Sequence, residues 1–154
     1  MSGFLIVTDS SVLIGLDRIG RIDILPATFP DVVAPPAVVA EYGAAPEWLR
    51  VLPVSDPAVA DALVLQRLDA GEREAIALAQ EYPGSLLLID ERRGRRYALA
   101  AGLQVVGTAG VLVQAKRSRA VTAVRPLLDA LRRHDFRLSD AVYRQVLAAA
   151  GEAG

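Results

Sequence analysis

The sequence predicts an α/β fold with a mostly parallel central sheet and a helical extension at its C-terminal end. Short apolar runs rich in branched residues alternate with segments of helical periodicity over residues 4–117. The clearest runs are continuous, which is typical of strands covered on both faces. Strands that alternate with helices of about ten residues indicate βαβ units and a parallel sheet. Residues 121–154 carry helical patterns without a strand pattern.

The first half of the chain contains two apolar runs that predict buried strands, at 4–8 and 32–34. A weaker run at 51–54 predicts an edge strand, because Pro53 cannot donate a hydrogen bond to a neighbouring strand. Each buried strand leads into a helix. The first helix is predicted to run to Gly20, and the second begins near Pro36, which suits a first helical turn.

The second half of the chain predicts two further strands, at 85–89 and 103–106. Helices are predicted around them, at 57–68, 72–82, 92–101 and 108–117. Gly71 is predicted to separate the first two of these helices, and Pro83-Gly84 to end the second. The extension is predicted to form two helices, one opening near Pro126 and one capped by Ser139.

The chain has 154 residues and a mass of 16.4 kDa, which corresponds to one domain. We expect a core over residues 1–120 and a helical extension over 121–154 that packs on the same domain. No run approaches the roughly 18 apolar residues of a membrane helix, and the first residues lack the features of an export signal. The expectation is a cytoplasmic protein without a membrane partner.

The composition excludes several kinds of chemistry. There is no cysteine, so disulfides, thiolate zinc sites, iron–sulfur clusters and cysteine nucleophiles are ruled out. The single histidine, His134, lies beside two arginines and is predicted to be a solvated residue at a helix end. That position argues against a histidine-dependent triad or zinc site. The net charge is −1, so nucleic acid could be attracted only by a local patch.

Four acidic residues are expected at one end of the sheet. Asp9 and Asp90 each follow an apolar strand directly, and ligands of parallel sheets bind beyond the carboxyl ends of the strands. Glu41 lies one or two helical turns past the second strand. Glu74 lies in the first turn of the helix that follows Gly71. These acids come from distant segments, yet the fold predicts that they converge.

Close carboxylates repel one another unless a cation or a shared proton lies between them. Mg²⁺ and Mn²⁺ prefer oxygen ligands, so such a set suits metal-assisted hydrolysis of a phosphodiester. Each acid alone also has a structural interpretation. Asp9 and Asp90 could cap helices, while Glu72 and Glu74 suit the positive end of a helix dipole. The functional interpretation therefore depends on the whole set.

Six segments follow one another along the chain: Val7-Thr8-Asp9-Ser10-Ser11 with Leu13-Ile14, Pro36-x-x-Val39-x-Glu41, Gly71-Glu72-Arg73-Glu74-Ala75 and its continuation to Ala79, Leu87-Leu88-Ile89-Asp90-Glu91-Arg92, Gly107-Thr108-Ala109-Gly110-Val111-Leu112, and Phe136-Arg137-Leu138-Ser139. In this order and spacing they resemble the PIN-domain ribonucleases, especially the VapC-like toxins of toxin–antitoxin pairs and their relatives. Together they span nearly the whole chain.

The resemblance implies an α/β/α sandwich whose acidic cleft binds Mg²⁺ or Mn²⁺ and cleaves RNA as an endoribonuclease. The family's first, second and third acids match Asp9, Glu41 and Glu74, with Glu72 as a neighbour of the third. The fourth acid matches Asp90 or Glu91. Many relatives carry two aspartates at this last position, so Glu91 departs from the pattern and the residue that faces the metal stays open.

The resemblance also implies supporting and substrate-binding residues. Arg92, Arg93, Arg95 and Arg96 follow Asp90, and among them Arg92 and Arg96 are predicted to contact RNA phosphates. A solvated helix face is the alternative. The hydroxyls of Ser10 and Thr108 lie at helix starts near the same rim, where they could support the acids or simply cap the helices.

Relatives in toxin–antitoxin pairs form homodimers and bind an antitoxin peptide, so both partners are expected here. The predicted partner surface consists of apolar residues of the first helical segments, namely Leu16, Ile19, Ile22, Ile24 and Leu25.

Other functions are considered alongside the nuclease. A non-catalytic PIN-like module that binds RNA or a partner stays open, because Glu74 and Glu91 stand where many relatives have aspartate. A phospho-acceptor fold is disfavoured, since Ser11 replaces the second aspartate of the dehalogenase pattern and the lone Lys116 lies in a helix. No glycine-rich dinucleotide motif follows the first strand.

Overall fold

A five-stranded, all-parallel sheet forms the centre of the computed structural model, which describes residues 5–153. The strands are β1 (Ile6–Thr8), β2 (Val32–Ala34), β3 (Leu49–Val51), β4 (Leu86–Leu88) and β5 (Gln104–Val106). Their spatial order is β3-β2-β1-β4-β5, so the first strand is the central one. Ile6 pairs with Val32 on one side and with Leu86 on the other. Every residue of β1 and β2 is buried, as their unbroken apolar character predicts.

Nine α-helices surround this sheet within residues 5–153. They are α1 (Ser10–Arg18), α2 (Ile24–Thr28), α3 (Pro36–Tyr42), α4 (Pro57–Ala62), α5 (Ala70–Glu81), α6 (Arg92–Ala100), α7 (Thr108–Arg117), α8 (Arg125–Arg133) and α9 (Asp140–Ala149). The chain moves toward one edge through β2 and β3 and then returns past β1 to β4 and β5. Helix α3 packs against both α1 and α5, and α5 also contacts β1, β4 and α6. The predicted α/β/α sandwich is confirmed.

Several elements differ from their predictions. The helix predicted at 57–68 ends at Ala62 and continues as a 3-10 turn, Leu63–Gln66, which closes at Arg67 with a left-handed φ of 59°. Strand β3 ends before Pro53 instead of including it, although it is the edge strand that the sequence predicts. The short helix α2 had no predicted counterpart. Phe4, placed in the first predicted strand, lies outside the described residues.

Helix α5 begins at Ala70, before Gly71, although the sequence predicts that Gly71 interrupts the helical structure there. Asp69 caps the helix by accepting a hydrogen bond from the N–H of Glu72, and the Glu72 carboxylate accepts one from the N–H of Asp69. This reciprocal capping box satisfies two backbone donors. Gly71 therefore lies inside the first turn of α5. The carboxylate of Glu41 lies against it, as described below.

The core is aliphatic and continuous with the C-terminal helices. Leu128, Leu131 and Leu147 belong to the same buried cluster as the sheet residues. His134 is exposed at the end of α8, as predicted. The boundary at residues 120 and 121 stays a prediction. Within residues 5–153, no helix combines the length and the apolar character needed to span a bilayer.

The expectation that residues of the first helical segments form an exposed partner surface is wrong. Leu16, Ile24 and Leu25 are completely buried, and Ile19 and Ile22 are partly buried and pack against the core. Their helical spacing is the signature of a buried face, since α2 folds back and lies against α7.

Glu152 ties the C-terminal segment to the rest of the domain. Its Oε2 accepts hydrogen bonds from the N–H of Val124 at 2.7 Å and from Nζ of Lys116 at 2.9 Å, and its Oε1 accepts one from the N–H of Arg125 at 3.0 Å. The carboxylate thus sits at the start of α8, where helix N–H groups favour negative charge. The hydrogen bonds from Val124 and Lys116 hold the pKa of Glu152 at about 2.

Replacing this carboxylate is expected to destabilise the protein. Glu152→Gln should lower the free energy of unfolding by about 1–3 kcal/mol at pH 7, because charge-assisted hydrogen bonds are lost. Because the pKa of Glu152 is lower in the folded protein, its ionised carboxylate stabilises the fold fully at pH values above 4.5, and this stabilisation is lost as the pH falls toward 2. Urea unfolding at pH 7 and pH 3 measures it. Glu47→Gln, at an exposed glutamate, is the control; equal losses in both variants would contradict the assignment.

Candidate active site

The two strands at the centre of the sheet each end in an aspartate. Asp9 follows β1 and Asp90 follows β4 after one residue, and the two strands are hydrogen-bonded neighbours. The connection after β1 leads toward one edge of the sheet and that after β4 toward the other. Parallel α/β sheets bind ligands in the crevice at such a switch point. The two aspartates therefore lie where the topology opens a binding crevice.

Asp9 is the N-cap of α1 and is only 2% exposed. Its Oδ1 accepts hydrogen bonds from the hydroxyl of Ser11 at 2.7 Å and from the N–H of Val12 at 3.3 Å. Its own N–H donates to the carbonyl of Leu88 on β4. Both hydrogen bonds from α1 are accepted by Oδ1, so Asp9 can cap the helix with one oxygen and bind a ligand with the other. The capping and functional interpretations of Asp9 are thus compatible.

Asp90 is held from two sides. Its Oδ1 accepts a hydrogen bond from the N–H of Thr108 at 2.7 Å, and its Oδ2 accepts one from the Thr108 hydroxyl at 2.5 Å. Its N–H donates to Oγ of Ser11 at 3.1 Å. The Ser11 hydroxyl therefore bridges the two aspartates, donating to one side chain and accepting from the backbone of the other.

These contacts refine the predicted supporting hydroxyls. Thr108 contacts Asp90, in line with its prediction. The serine that contacts the aspartates is Ser11 and not Ser10, its predicted neighbour. An N-cap carboxylate commonly binds groups two or three residues further on, and this rule would have favoured Ser11.

Burial governs the electrostatics of the aspartate pair. Burial, together with the charge of Asp90, raises the pKa of Asp9 to about 7, and the hydrogen bond from Ser11 opposes this rise. Burial also raises the pKa of Asp90, although the hydrogen bonds from Thr108 and the nearby Arg95 oppose this effect. Two negative charges are costly at this position, and a cation between them would offset that cost.

Glu74 lies at the same rim of the sheet, one strand away from Asp9. Its Oε1 accepts a hydrogen bond from the N–H of Ala37 at 3.1 Å, in the first turn of α3 just beyond β2. Since β2 is the neighbour of β1, the carboxylates of Glu74, Asp9 and Asp90 follow one another along the rim. Adjacent strands are about 4.8 Å apart.

Glu41 projects from α3 toward the start of α5. A Cβ placed on Gly71 would overlap its Oε1, so this carboxylate rests directly against the Gly71 backbone. Burial raises the pKa of Glu41, as does the charge of Asp69, and a hydrogen bond from the N–H of Gly71 lowers it. A side chain at position 71 would displace the Glu41 carboxylate from this position.

Glu72 and Glu91 form a separate carboxyl pair. Glu91 caps α6 by accepting a hydrogen bond from the N–H of Gly94 at 2.8 Å. Glu72 is buried, and its Oε2 receives no hydrogen bond from a donor within residues 5–153. Burial raises the pKa of Glu72 to about 8, with the neighbouring Glu91 carboxyl adding to the effect and the hydrogen bond from the N–H of Asp69 opposing it. The resemblance left open whether Asp90 or Glu91 is the fourth acid. In the structure Asp90 lies near Asp9, whereas Glu91 lies near Glu72.

The predicted acids therefore fall into smaller groups than one four-acid cluster. Within residues 5–153, no three Asp, Glu or His side chains come close enough together to hold a metal ion as they stand. Mg²⁺ usually keeps several waters and takes only one or two carboxylates from the protein. Asp9 and Asp90, whose pKa values are both raised by desolvation, fit that requirement.

A family model described as a PIN domain matches residues 5–152, nearly the whole chain. The chain belongs to the PIN-domain family. No curated protein and no solved structure matches it. PIN domains are in general nucleases, which are hydrolases. The predicted family and its parallel α/β architecture are thus confirmed.

In this PIN domain the arginines of α6 lie beside the aspartate pair. A Cβ placed on Gly107 would be 2.5 Å from Nη1 of Arg95 and 2.7 Å from Oδ1 of Asp90, so the guanidinium and the carboxylate lie side by side over this glycine. Arg92 and Arg96 are exposed and line the adjoining cleft. Sequence reasoning singled out Arg92 and Arg96 but not Arg95, which lies on the same face of α6 as Arg92.

The burial of Asp9 predicts an unusual stability effect. In EDTA at pH 8, Asp9→Asn is expected to stabilise the protein by roughly 2–4 kcal/mol, because it removes a buried charge. A raised acid pKa costs stability as pH increases from the ordinary value of 3.8 to about 7. The advantage should therefore vanish near pH 4. Thermal unfolding at both pH values measures it.

Metal addition provides the complementary measurement on the same two proteins. Mn²⁺ at pH 8 is expected to raise the unfolding temperature of the wild type and to leave that of Asp9→Asn unchanged. A variant less stable than the wild type in EDTA at pH 8 would contradict the buried-charge account.

The bridging hydroxyl predicts a contrast between neighbouring serines. Ser11→Ala should lower the free energy of unfolding by about 1–3 kcal/mol, because the N–H of Asp90 loses its partner. Ser10→Ala is the matched control and should change it by less than about 0.5 kcal/mol. Urea unfolding of both variants decides the matter, and similar losses at the two positions would rule out the bridge.

Proposed function

We propose that this PIN domain is a divalent-metal-dependent endoribonuclease that hydrolyses RNA phosphodiester bonds. The observation that carries the proposal is the buried Asp9 with the half-buried Asp90 next to it at the switch point of the sheet, and Arg95 beside Asp90. Carboxylate oxygens would hold the metal, and the neighbouring guanidinium groups suit an anionic substrate. Membership of a nuclease family agrees with this chemistry.

Asp9 and Asp90 are the proposed direct ligands of Mg²⁺ or Mn²⁺. Glu74, next along the rim, and Glu41 complete the proposed catalytic set, and their carboxylates are suited to contact through water. Glu72 and Glu91, the further candidates, are engaged with each other and with helix caps. When bound, the ion would lower the pKa of a water molecule and offset charge on the phosphate.

The surrounding residues orient the two aspartates and favour their ionised forms against the effect of burial. Ser11 and Thr108 donate hydrogen bonds that stabilise the charged carboxylates and fix their positions. Arg95 lies beside Asp90, and its positive charge favours the ionised form. Arg92 and Arg96, at the exposed edge of the cleft, are proposed to bind the phosphates that flank the bond to be cut.

The resemblance to VapC-like toxins supports a more specific role. We propose that the protein is the toxin of a toxin–antitoxin pair, that it acts in the cytoplasm and that it forms a homodimer bound by a cognate antitoxin. A neighbouring reading frame for a small DNA-binding protein would support this role. Co-expression with that neighbour should relieve growth inhibition, and a lack of toxicity in the absence of the neighbour would contradict it.

The nuclease proposal predicts cleavage that depends on the aspartate pair. Wild-type protein with Mn²⁺ or Mg²⁺ should cut RNA, and EDTA should abolish the reaction. Asp9→Asn and Asp90→Asn should each reduce the cleavage rate at least about a hundredfold, because each removes a proposed ligand charge. A gel assay with end-labelled RNA measures the rates.

Asp61→Asn, at an exposed aspartate of α4, is the matched control and should cleave at the wild-type rate. The same assay separates the nuclease from the alternative of a non-catalytic PIN-like module, which the absence of a three-acid group within residues 5–153 favours. RNA that is bound but never cut by the wild type, at any concentration of Mn²⁺ or Mg²⁺, would establish the non-catalytic module instead.

A further inference from the structure

A cleft of about 1040 Å³ extends from Asp90 and Ser11 to the C-terminal helices. Its lining includes Asp90 and Ser11 of the site, the outer face of α6, and residues of the segment 136–146. We call the part between α6 and this segment the C-terminal groove. The PIN-like segment Phe136-Arg137-Leu138, which has no role in the proposed metal site, forms one of its walls.

The C-terminal groove leaves apolar side chains open to solvent. Leu99 on α6 is 56% exposed and Val142 on α9 is 40% exposed. Further apolar residues of the lining are Val105, Val106 and Ala109 near Asp90, and Phe136, Leu138 and Val146 on the other wall. A contiguous apolar surface beside a site marks a binding region.

The same groove is rich in positive charge. Four arginines line the cleft, namely Arg92, Arg95, Arg96 and Arg137. The acids in its lining are Asp90, which belongs to the proposed metal site, and Glu91, which is bound at the start of α6. The chain as a whole has a net charge of −1, so this concentration of arginine is local. A ligand that satisfies the groove must be anionic along one side and apolar along the other.

The wall formed by residues 136–138 is already fixed in position. The N–H of Phe136 donates to the carbonyl of Leu131, and Nη2 of Arg132 donates to the carbonyl of Leu138 at 2.9 Å. The hydroxyl of Ser139 then caps α9. A preorganised surface loses little conformational entropy when a ligand binds.

We propose that the C-terminal groove binds the unpaired bases of single-stranded RNA adjacent to the phosphate that is cut. The bases pack on Leu99, Phe136 and Val142, and the backbone phosphates pair with the arginines. Single-stranded nucleic acid is anionic along its backbone and exposes flat base faces, whereas a duplex keeps those faces stacked inside. The proposal rests on the proposed function, in that the substrate is RNA, and it makes the C-terminal extension a determinant of substrate class.

Base contacts can be separated from phosphate contacts by choosing the RNA. Fluorescence anisotropy of the full chain in EDTA compares a labelled twelve-nucleotide oligouridylate with an abasic ribose-phosphate chain of equal length. The wild type should bind the oligouridylate about tenfold more tightly. Leu99→Gln combined with Val142→Gln should remove this preference and leave the affinity for the abasic chain unchanged. Arg96→Gln should weaken the binding of both probes equally.

The matched control combines Val64→Gln and Val59→Gln, whose exposed fractions of 54% and 39% equal those of the groove pair while lying outside the cleft. This control should keep the tenfold preference. Equal affinity of the wild type for both probes, or an unchanged preference in the groove variant, would overturn the proposal. So would a groove variant that alters the oligomeric mass but not RNA affinity, because the groove would then be a protein interface.

Cleavage of the same oligouridylate with Mn²⁺ is measured in parallel. A base preference that depends on the groove, without any cleavage, would refute the nuclease and leave the groove assignment standing. Cleavage without a base preference would support the nuclease and refute the groove assignment.

Discussion

Two carboxylates held side by side in a desolvated crevice are the constraint on which the rest of this molecule depends. Asp9 and Asp90 follow the two central strands; Asp9 is buried, and Asp90 is half-buried at the edge of the cleft. Their repulsion must be offset locally. Ser11 and Thr108 provide the hydrogen bonds, and Arg95 provides the nearest positive charge.

Several acids of this domain serve the backbone as well as the site. Asp9 caps α1, Glu91 caps α6, and Glu74 accepts a hydrogen bond from the first turn of α3. Each binds N–H groups at the positive end of a helix, which lowers the cost of keeping a negative charge near the rim. Helix capping and site formation are therefore not alternatives here, because the loops that begin the helices are also the loops that line the crevice.

The sheet could be predicted from the sequence because continuous apolar runs have few other uses in a chain of this size. The aspartates after β1 and β4 followed from strand direction alone. The start of α5 was missed because a glycine commonly breaks a helix. Gly71 instead lies within the first turn, with the Glu41 carboxylate against it. The apolar residues of α2 suggested a surface because their partner, α7, is more than seventy residues away in the chain.

The division of the acids into separate groups was beyond the sequence for a related reason. Glu72 and Glu74 are two residues apart, and their carboxylates bind different partners, the backbone of Asp69 and that of Ala37. Which partner each acid reaches depends on how α5 is rotated against α3 and α6. That rotation is set by core packing. The choice of Ser11 over Ser10 and the placement of Arg95 depend on side-chain geometry in the same way.

The pairing of β1 with β4 also determines when the site can exist. Ser11 and Asp90 are 79 residues apart in sequence, yet their hydrogen bond belongs to the centre of the crevice. Asp90 in turn depends on Thr108, the first residue of α7. When a ribosome has synthesised the first half of the chain, Asp9 is present but Asp90 is not. The crevice is assembled only after translation has passed α7, so an incomplete chain carries the acids but not the arrangement.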